Sequence, residues 1–288
     1  MQIRKLKCVR YKMVYFVKML LKLFTDQLNR TIEVRFPPAR IVSLVPSQTE
    51  LLADLGLNNE VIGITRYCVH PDYWFRTKTR VGGTKKLDLE KIKSLQPDLI
   101  IGNKEENVQS QIDELSRSFP MWISDIENLN DALQMIHSVG QLVNREYEAD
   151  AIASKIESNF SILKHSESAL RIRVAYIIWR NPVMTIGADT FINSIMQHCG
   201  LENVFKDKKR YPEITNRELS QARPQVILLS SEPYPFREKH VQEFSEICPD
   251  AKIMLADGQM FSWYGSRLIK AADYLRKLKL EIISDVSV

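Results

Sequence analysis

Hydrophobic and polar positions follow two different periods, which alternate with each other from residue 40 onward. Short runs of β-branched and other apolar residues predict buried strands at residues 40–45, 61–65, 98–102 and 121–124. Segments with apolar residues three and four positions apart separate these runs and predict helices. Strands that alternate with helices are typical of a parallel sheet covered on both faces. This half of the chain therefore predicts an α/β unit.

Local signals suggest where several of these helices begin and end. Ser47 and Glu50 have the spacing of a capping box, and Gly56 is suited to end the helix that follows. Asp88 precedes another helical segment and is expected to cap it, while Pro97 ends that segment before the next strand.

A longer segment, residues 144–168, differs from the rest because it contains neither glycine nor proline. Its apolar residues form a single stripe with steps of three and four positions: Ala149, Ile152, Ile156, Phe160 and Leu163. This spacing predicts one continuous helix with a narrow buried face. About 22 helical residues span roughly 33 Å, which is enough to cross a small domain.

The alternation resumes after this segment, with strands predicted at residues 173–179, 225–230 and 252–255. Residues 216–228 repeat the pattern of residues 89–101, each with a short helix, a proline and a buried strand. We therefore predict a duplication: two Rossmann-like lobes with parallel sheets joined by one long bridging helix. The predicted boundaries are an extension at 1–23, lobes at 24–143 and 169–288, and the bridging helix at 144–168.

Composition is that of a folded globular protein, with 44% hydrophobic and 26% charged residues among 288. The net charge of +5 has a local origin, because residues 1–22 carry seven lysines and arginines and no acidic residue. The remaining chain is close to neutral, so we expect no nucleic-acid partner.

The N-terminal segment leaves the cellular location open. Its apolar run at residues 13–24 is interrupted by Lys18 and Lys22, and no Ala-x-Ala cleavage pattern follows. A degenerate secretion signal, a peripheral amphipathic anchor, and extra residues before a true start at Met13 or Met19 all agree with this pattern. The rest of the chain has no apolar run approaching the 18 or so residues of a membrane span.

Sequence motifs of catalysis are not found, since the chain has no GxGxxG, Walker, GxSxG or HExxH pattern. Cys8, Cys68, Cys199 and Cys248 are widely scattered and are expected to be free thiols. Cys68 and His70 alternate along an extended loop and would share a face. They are interpreted either as loop residues that pack, as ligands of a soft metal, or as a thiolate pair.

Aromatic residues concentrate in loops and at predicted strand ends, where a cleft between two lobes would have its rim. This pattern suits a broad, flat, partly apolar ligand, and neighbouring arginines are suited to contact an anionic group. The predicted ligand-binding residues are Tyr67, Trp74, Arg80, Trp179, Met184, Tyr211, Phe261, Trp263 and Arg267, with Arg180 as a further candidate.

Residues 36–50 (FPPARIVSLVPSQTE) resemble the opening of the class III solute-binding proteins of ABC importers. The likeness continues through residues 199–207 and 211–215 and covers about residues 24–280. It is nearest to the cobalamin-binding branch. The resemblance implies two Rossmann-like lobes with little hinge motion, no required cofactor, and cobalamin, haem or an iron–siderophore as ligand. It also implies a monomer that delivers its ligand to a permease and ATPase in the membrane, from a periplasmic or other extracytoplasmic location.

The same resemblance implies roles for individual residues. Tyr67 and Tyr211 match aromatic residues that stack on a corrin, whereas Met184 replaces an aromatic residue and Thr84 stands where a tryptophan is expected. A docking glutamate on each lobe meets the permease. Glu90 matches the first. Arg217 occupies the second position, so Glu218, one step later, is the candidate docking glutamate of the second lobe.

The sequence therefore predicts an importer's solute-binding protein that holds a corrinoid or related metal chelate and performs no chemistry. The alternative is a cytoplasmic protein of the same fold that handles corrinoid, haem or metal without a permease. A metal-dependent enzyme is the third interpretation.

Overall fold

The computed structural model describes residues 20–165 and 171–286. The interpretations of residues 1–19, including Cys8, lie outside the described residues and stay predictions. Within the described ranges, none of the helices combines the length and apolar character that crossing a bilayer requires.

An antiparallel hairpin opens the described chain, with β1 at Leu20–Thr25 and β2 at Thr31–Phe36. It lies beside the first lobe, where the amide of Gln27 donates to the carbonyl of Ile123 over 3.2 Å. This hairpin was not predicted from the sequence. Strand β1 crosses the boundary predicted between residues 23 and 24.

The first lobe has a five-stranded parallel sheet in the order β5-β4-β3-β6-β7. Its strands are β3 (Ile41–Ser43), β4 (Val61–Ile64), β5 (Thr79–Arg80), β6 (Leu99–Asn103) and β7 (Met121–Ser124). Its helices are α1 (Pro46–Asp54), α2 (Asp72–Thr77), α3 (Leu89–Ser94), α4 (Gln109–Ser116) and α5 (Leu129–Leu142). The predicted strands are present, and β5 and α2 are additional.

Helix α6 (Glu146–His165) occupies the position of the predicted bridging helix, and the last predicted positions, 166–168, lie outside the described residues. Its stripe residues Ala149, Ile156 and Phe160 are buried. The helix packs against α5 of the first lobe and against two helices of the second.

The second lobe has a sheet in the order β10-β8-β11-β12, with β9 added antiparallel to β8. Its strands are β8 (Ile172–Trp179), β9 (Met184–Thr185), β10 (Leu201–Asn203), β11 (Val226–Ser230) and β12 (Lys252–Ala256). Its helices are α7 (Phe191–His198), α8 (Asn216–Gln221), α9 (Glu238–Ile247), α10 (Gln259–Ser262) and α11 (Leu268–Val286). The α/β fold with parallel sheets is confirmed.

The predicted duplication is visible in the topology: when the two-residue strands β5 and β9 are set aside, both lobes place their strands in the order second, first, third, fourth. It extends to the turns between α3 and β6 and between α8 and β11. The residue before each proline, Gln96 and Arg223, has a φ of 46°. The guanidinium groups of Arg40 and Arg173 donate to carbonyls at the carboxyl ends of α3 and α8, respectively.

One predicted helix start is wrong. Helix α1 begins at Pro46, with Val45 as a cap that makes no side-chain hydrogen bond, so Ser47 and Glu50 form no capping box. Proline favours the first helical position because its φ is preset and its missing N–H is not needed there. The carboxylate of Glu50 is consequently available for a distant partner, described below. The Asp88 cap of α3 is confirmed, because its carboxylate accepts from the amide of Lys91.

Candidate functional site

The carboxyl ends of the two parallel sheets face one another across the lobe boundary. The tyrosine hydroxyl of Tyr264 donates to Glu106 over 2.8 Å, and that of Tyr211 donates to Glu105 over 3.2 Å. Both glutamates follow β6, and both tyrosines belong to loops of the second lobe. Ligands of open α/β sheets bind outside the carboxyl ends of the strands, so this crevice is the candidate site.

A buried ion pair also joins the two lobes. The guanidinium of Arg267 donates to both carboxylate oxygens of Glu50, over 2.8 and 2.7 Å. Gly265 allows the close approach of the two lobes beside this pair, because a Cβ at that position would lie 2.6 Å from the carbonyl oxygen of Ser47. The lobes are thus joined by a bidentate ion pair as well as by α6.

Two carboxylates lie in the crevice with raised pKa values. Burial raises the pKa of Glu106 to about 7, although the hydrogen bond from Tyr264 opposes this shift. Burial also raises the pKa of Glu232, which accepts from the Ser262 hydroxyl over 2.8 Å and the Trp263 indole over 2.9 Å. Loss of water around a carboxylate disfavours its charged form, so both groups lie in a poorly hydrated place.

Several of the predicted ligand-binding aromatics remain accessible. Tyr67 is 50% exposed, and Trp179 at the end of β8 is 38% exposed with its indole donating to the carbonyl of Asn181. Tyr211 and Met184 are half-buried in the second lobe. The surfaces of these four predicted residues can be reached by a ligand.

Two predicted aromatics are wrong because they belong to the core. Trp74 on α2 is completely buried and its indole donates to the Asn58 side chain within the first lobe. Phe261 on α10 is completely buried against the rings of Tyr176 and Tyr274. Trp263 is only 7% exposed, and its ring packs edge-on against His70 of the other lobe. The local sequence indicated that Trp74, Phe261 and Trp263 lie in or beside loops. It did not indicate that tertiary packing would bury their side chains.

The predicted arginines already have partners. Arg267 donates to both carboxylate oxygens of Glu50, so the prediction that Arg267 contacts an anionic group of the ligand is wrong. Arg80 lies over the ring of Phe75 at 4.4 Å and donates to the carbonyl of the same residue. Arg180 pairs with Glu243 over 2.8 Å.

The prediction of a metal or thiolate pair at Cys68 and His70 is wrong. The Cys68 thiol is completely buried beside the hydroxyls of Thr49 and Thr65, each 3.1 Å away. Burial raises its pKa to about 11, which keeps it protonated. His70 instead packs on Trp263, so the two side chains have different surroundings. No group of three or more metal-ligating side chains occurs within residues 20–165 and 171–286.

The two predicted docking glutamates differ in how freely they are presented. Glu90 is 85% exposed on α3, contacts Lys93 at 2.9 Å, and borders a surface cavity of about 640 Å³. Glu218 caps its own helix α8 with Thr215 and pairs with Lys208 at 3.0 Å. These bonds lower the pKa of Glu218 to about 2.

Sequence reasoning missed the acidic residues of the crevice, namely Glu105, Glu106 and Glu232. A usable signal was present, because each acid follows the end of a predicted buried strand by only a few positions. Carboxyl ends of parallel strands are where site residues collect.

The fold and this crevice define a two-lobed binding protein whose lobes are joined by α6 and by side-chain contacts between them. The model of the periplasmic binding protein family matches residues 41–246, well over half of the chain, and the chain therefore belongs to this family. Its type is the class III solute-binding protein of ABC importers, and it is not an enzyme.

Named relatives align with most of this chain. A vitamin B12-binding protein of Pectobacterium carotovorum is 25% identical over 243 residues, which cover 83% of this chain and 87% of the relative. The vitamin B12-binding protein BtuF of Vibrio cholerae superposes with a TM-score of 0.75 at 20% identity, covering 85% of this chain and 98% of BtuF. The heme-binding protein RhuT of Roseiflexus superposes equally, with a TM-score of 0.75 at 20% identity and coverages of 86% and 98%. At these identities the structural likenesses establish the fold.

Proposed function

We propose that this protein binds a corrinoid in the crevice between its lobes and delivers it to an ABC permease with its ATPase. The observation that carries the proposal is the meeting of the two carboxyl sheet edges, bridged by Tyr211 with Glu105 and by Tyr264 with Glu106. A crevice of this kind, walled by both lobes, is where ligands of such folds lie.

Accessible aromatic surface supports a flat ligand. Tyr67 belongs to the first lobe, whereas Trp179 and Tyr211 belong to the second, so a ligand between the lobes would have aromatic surface on both sides. A flat, largely apolar ring gains stacking and burial from such a pair of walls. The named vitamin B12-binding relatives favour a corrinoid over other ligands of this shape.

Membership of the family supports a permease as partner and a location outside the cytoplasm. Glu90 projects from α3 into solvent and is suited to meet a basic residue of a permease. We place the protein outside the cytoplasm, on the ligand-gathering side of that permease, as a monomer.

A second candidate function is a cytoplasmic protein that handles corrinoid or haem without a permease. Its support is the second lobe, where Arg217 stands at the position equivalent to Glu90 and Glu218 is held by Thr215 and Lys208. A permease with two equal basic docking sites would find an acid on one lobe alone.

Calorimetric titration of the apoprotein with cyanocobalamin and, separately, with haem tests the proposal. We expect cyanocobalamin to bind with a dissociation constant below tens of micromolar and more tightly than haem. Failure of both ligands to bind in that range would remove the proposed function. Tighter binding of haem than of cyanocobalamin would indicate that the ligand is a porphyrin and not a corrinoid.

A further inference from the structure

The crevice is rich in hydrogen-bond acceptors that carry negative charge. Glu106 comes from the first lobe and Glu232 from the second, and their charges oppose each other. Within residues 20–165 and 171–286, the hydrogen bonds to each come from neutral groups: Tyr264 for Glu106, and Ser262 with Trp263 for Glu232.

The cationic side chains near Glu106 and Glu232 make their hydrogen bonds and ion pairs with other groups. Arg267 is bidentate to Glu50, and Arg210 contacts the Glu105 carboxylate. The ammonium group of Lys85 donates to the backbone carbonyl of Glu105. Among the described residues, Glu106 and Glu232 therefore have no ion-pair partner, in agreement with their raised pKa values.

A separate observation concerns Gln48, which is 1% exposed and lies over the carboxyl ends of β6 and β7. Its Nε2 donates to the hydroxyl of Ser124 over 2.6 Å, and that hydroxyl can donate onward to the carbonyl of Gly102. This chain orients the amide of Gln48, and its carbonyl oxygen Oε1 is buried without a hydrogen-bond partner in the described structure.

An unpartnered buried acceptor is costly, and it becomes satisfied when a ligand brings a donor. Hydrogen bonds connect Gln48 to the loop that carries Glu106. The Ser124 hydroxyl also accepts from the side-chain amide of Asn103. The side-chain oxygen of Asn103 in turn accepts from the backbone amides of Glu105 and Glu106. The floor of the crevice thus offers acceptors, both charged and neutral.

We infer that the crevice selects a chelate whose periphery carries amides, and that Glu106 and Glu232 exclude ligands with carboxylates at the same places. The inference rests on the proposed function and names the ligand chemistry of that site. An amide N–H donates to these acceptors, whereas an ionised carboxylate has no donor and meets two negative charges that have no ion-pair partner among the described residues.

The test compares cyanocobalamin with three monocarboxylic acid derivatives, in each of which one peripheral propionamide is hydrolysed. The ring, metal and shape are the same in all four, so only the local charge and hydrogen bonding differ. Titrations at pH 8 should show at least one derivative binding at least tenfold more weakly than cyanocobalamin.

Discrimination is the affinity for cyanocobalamin divided by the affinity for the weakly binding derivative. In the double variant Glu106→Gln with Glu232→Gln, this ratio should be at least fivefold smaller than in the wild type. Glutamine retains an acceptor for Tyr264 and Trp263, which favours folding. If the double variant fails to show a cooperative melt, the single variant Glu232→Gln replaces it. Glu157→Gln, an exposed position on α6, is the matched control and should leave the ratio unchanged.

Binding of all three derivatives within threefold of cyanocobalamin overturns the charge selection while the proposed function stands. The same holds if the discrimination persists in full without the two carboxylates. If cyanocobalamin itself does not bind, the proposed function fails, and the inference that rests on it fails with it.

Discussion

Glu50 on the first helix and Arg267 near the last form a bidentate ion pair, buried where the lobes meet and 217 positions apart in sequence. Both side chains are almost inaccessible to solvent, with 9% and 7% exposed. The pair, rather than the capping box that Glu50 suggested, explains why a glutamate stands at this position.

Removing one partner of this pair should destabilise the protein strongly. Glu50→Ala leaves the Arg267 charge buried without compensation, and we expect a loss of about 3–5 kcal/mol in the free energy of unfolding. Urea denaturation measures it. The double variant Glu50→Leu with Arg267→Met should lose less than the single variant, because no charge is left unpaired. Asp273→Ala, which breaks an exposed pair with Arg276, should cost less than about 1 kcal/mol. A mild effect of Glu50→Ala would show that water reaches Arg267.

Ligand binding should change the molecular shape very little. The ion pair, the Tyr264–Glu106 hydrogen bond and the continuous helix α6 all connect the lobes, so a hinge would have to break several contacts at once. Small-angle scattering profiles with and without cyanocobalamin should nearly coincide. A marked decrease in the radius of gyration on binding would contradict this expectation.

Stacking on the crevice walls predicts that Tyr67→Ala and Tyr211→Ala each weaken cyanocobalamin binding by about 1–2 kcal/mol, since each removes an aromatic surface. Calorimetry gives the affinities. Trp74→Phe is the control, because Trp74 is buried within its lobe. It should lower thermal stability and leave the affinity of the folded protein unchanged. An effect of Trp74→Phe on affinity larger than that of the two tyrosine variants would place the ligand elsewhere.

The pH dependence of stability should report on Glu106. Its pKa is about 7 in the folded protein and near 4.5 when the group is free, so the folded state retains a proton that the unfolded chain has released. The free energy of unfolding should therefore fall as pH rises from about 4.5 to 7, and this contribution should then level off. Glu106→Gln should remove that part of the pH dependence in thermal melts. Glu157→Gln should not, and an equal slope in wild type and Glu106→Gln would refute the assignment.

Docking should depend on the two lobes unequally. Glu90 and Arg217 are the second residues of α3 and α8, the equivalent helices of the two lobes, so the duplication places opposite charges at matched positions. Glu90→Ala should reduce transport by a cognate permease and leave ligand affinity unchanged. Arg217→Glu should raise transport if both permease sites are basic. Assays at low and physiological ionic strength are needed because rim charges act mainly on association rates.

If Glu90→Ala and Arg217→Glu both transport as wild type does, the importer role fails and the cytoplasmic alternative takes its place. Glu218→Ala provides a contrast, since Glu218 is bonded to Thr215 and Lys208. Its loss should lower thermal stability and leave docking unaffected.

Local sequence determined the elements and their order. Buried strands without alternation, helices with steps of three and four, and the matched prolines at 97 and 224 depend on neighbours only a few residues apart. Periodicity and turn chemistry act at that range, so two like lobes and a bridging helix could be predicted. The hairpin of β1 and β2 was not predicted, because β1 begins in the segment taken for an extension and residues 24–39 showed no strand pattern that was recognised.

Tertiary structure alone decided which side chains face the crevice. Trp74 and Phe261 looked like rim residues but lie in the core, and Cys68 and His70 alternate in sequence yet contact different surroundings. Glu50, Glu106 and Glu232 acquire their roles from partners that are distant in sequence or held by the packing of other loops. Burial and hydrogen-bond partners are properties of packed surfaces, and the charge of a side chain does not reveal whether a distant residue will neutralise it.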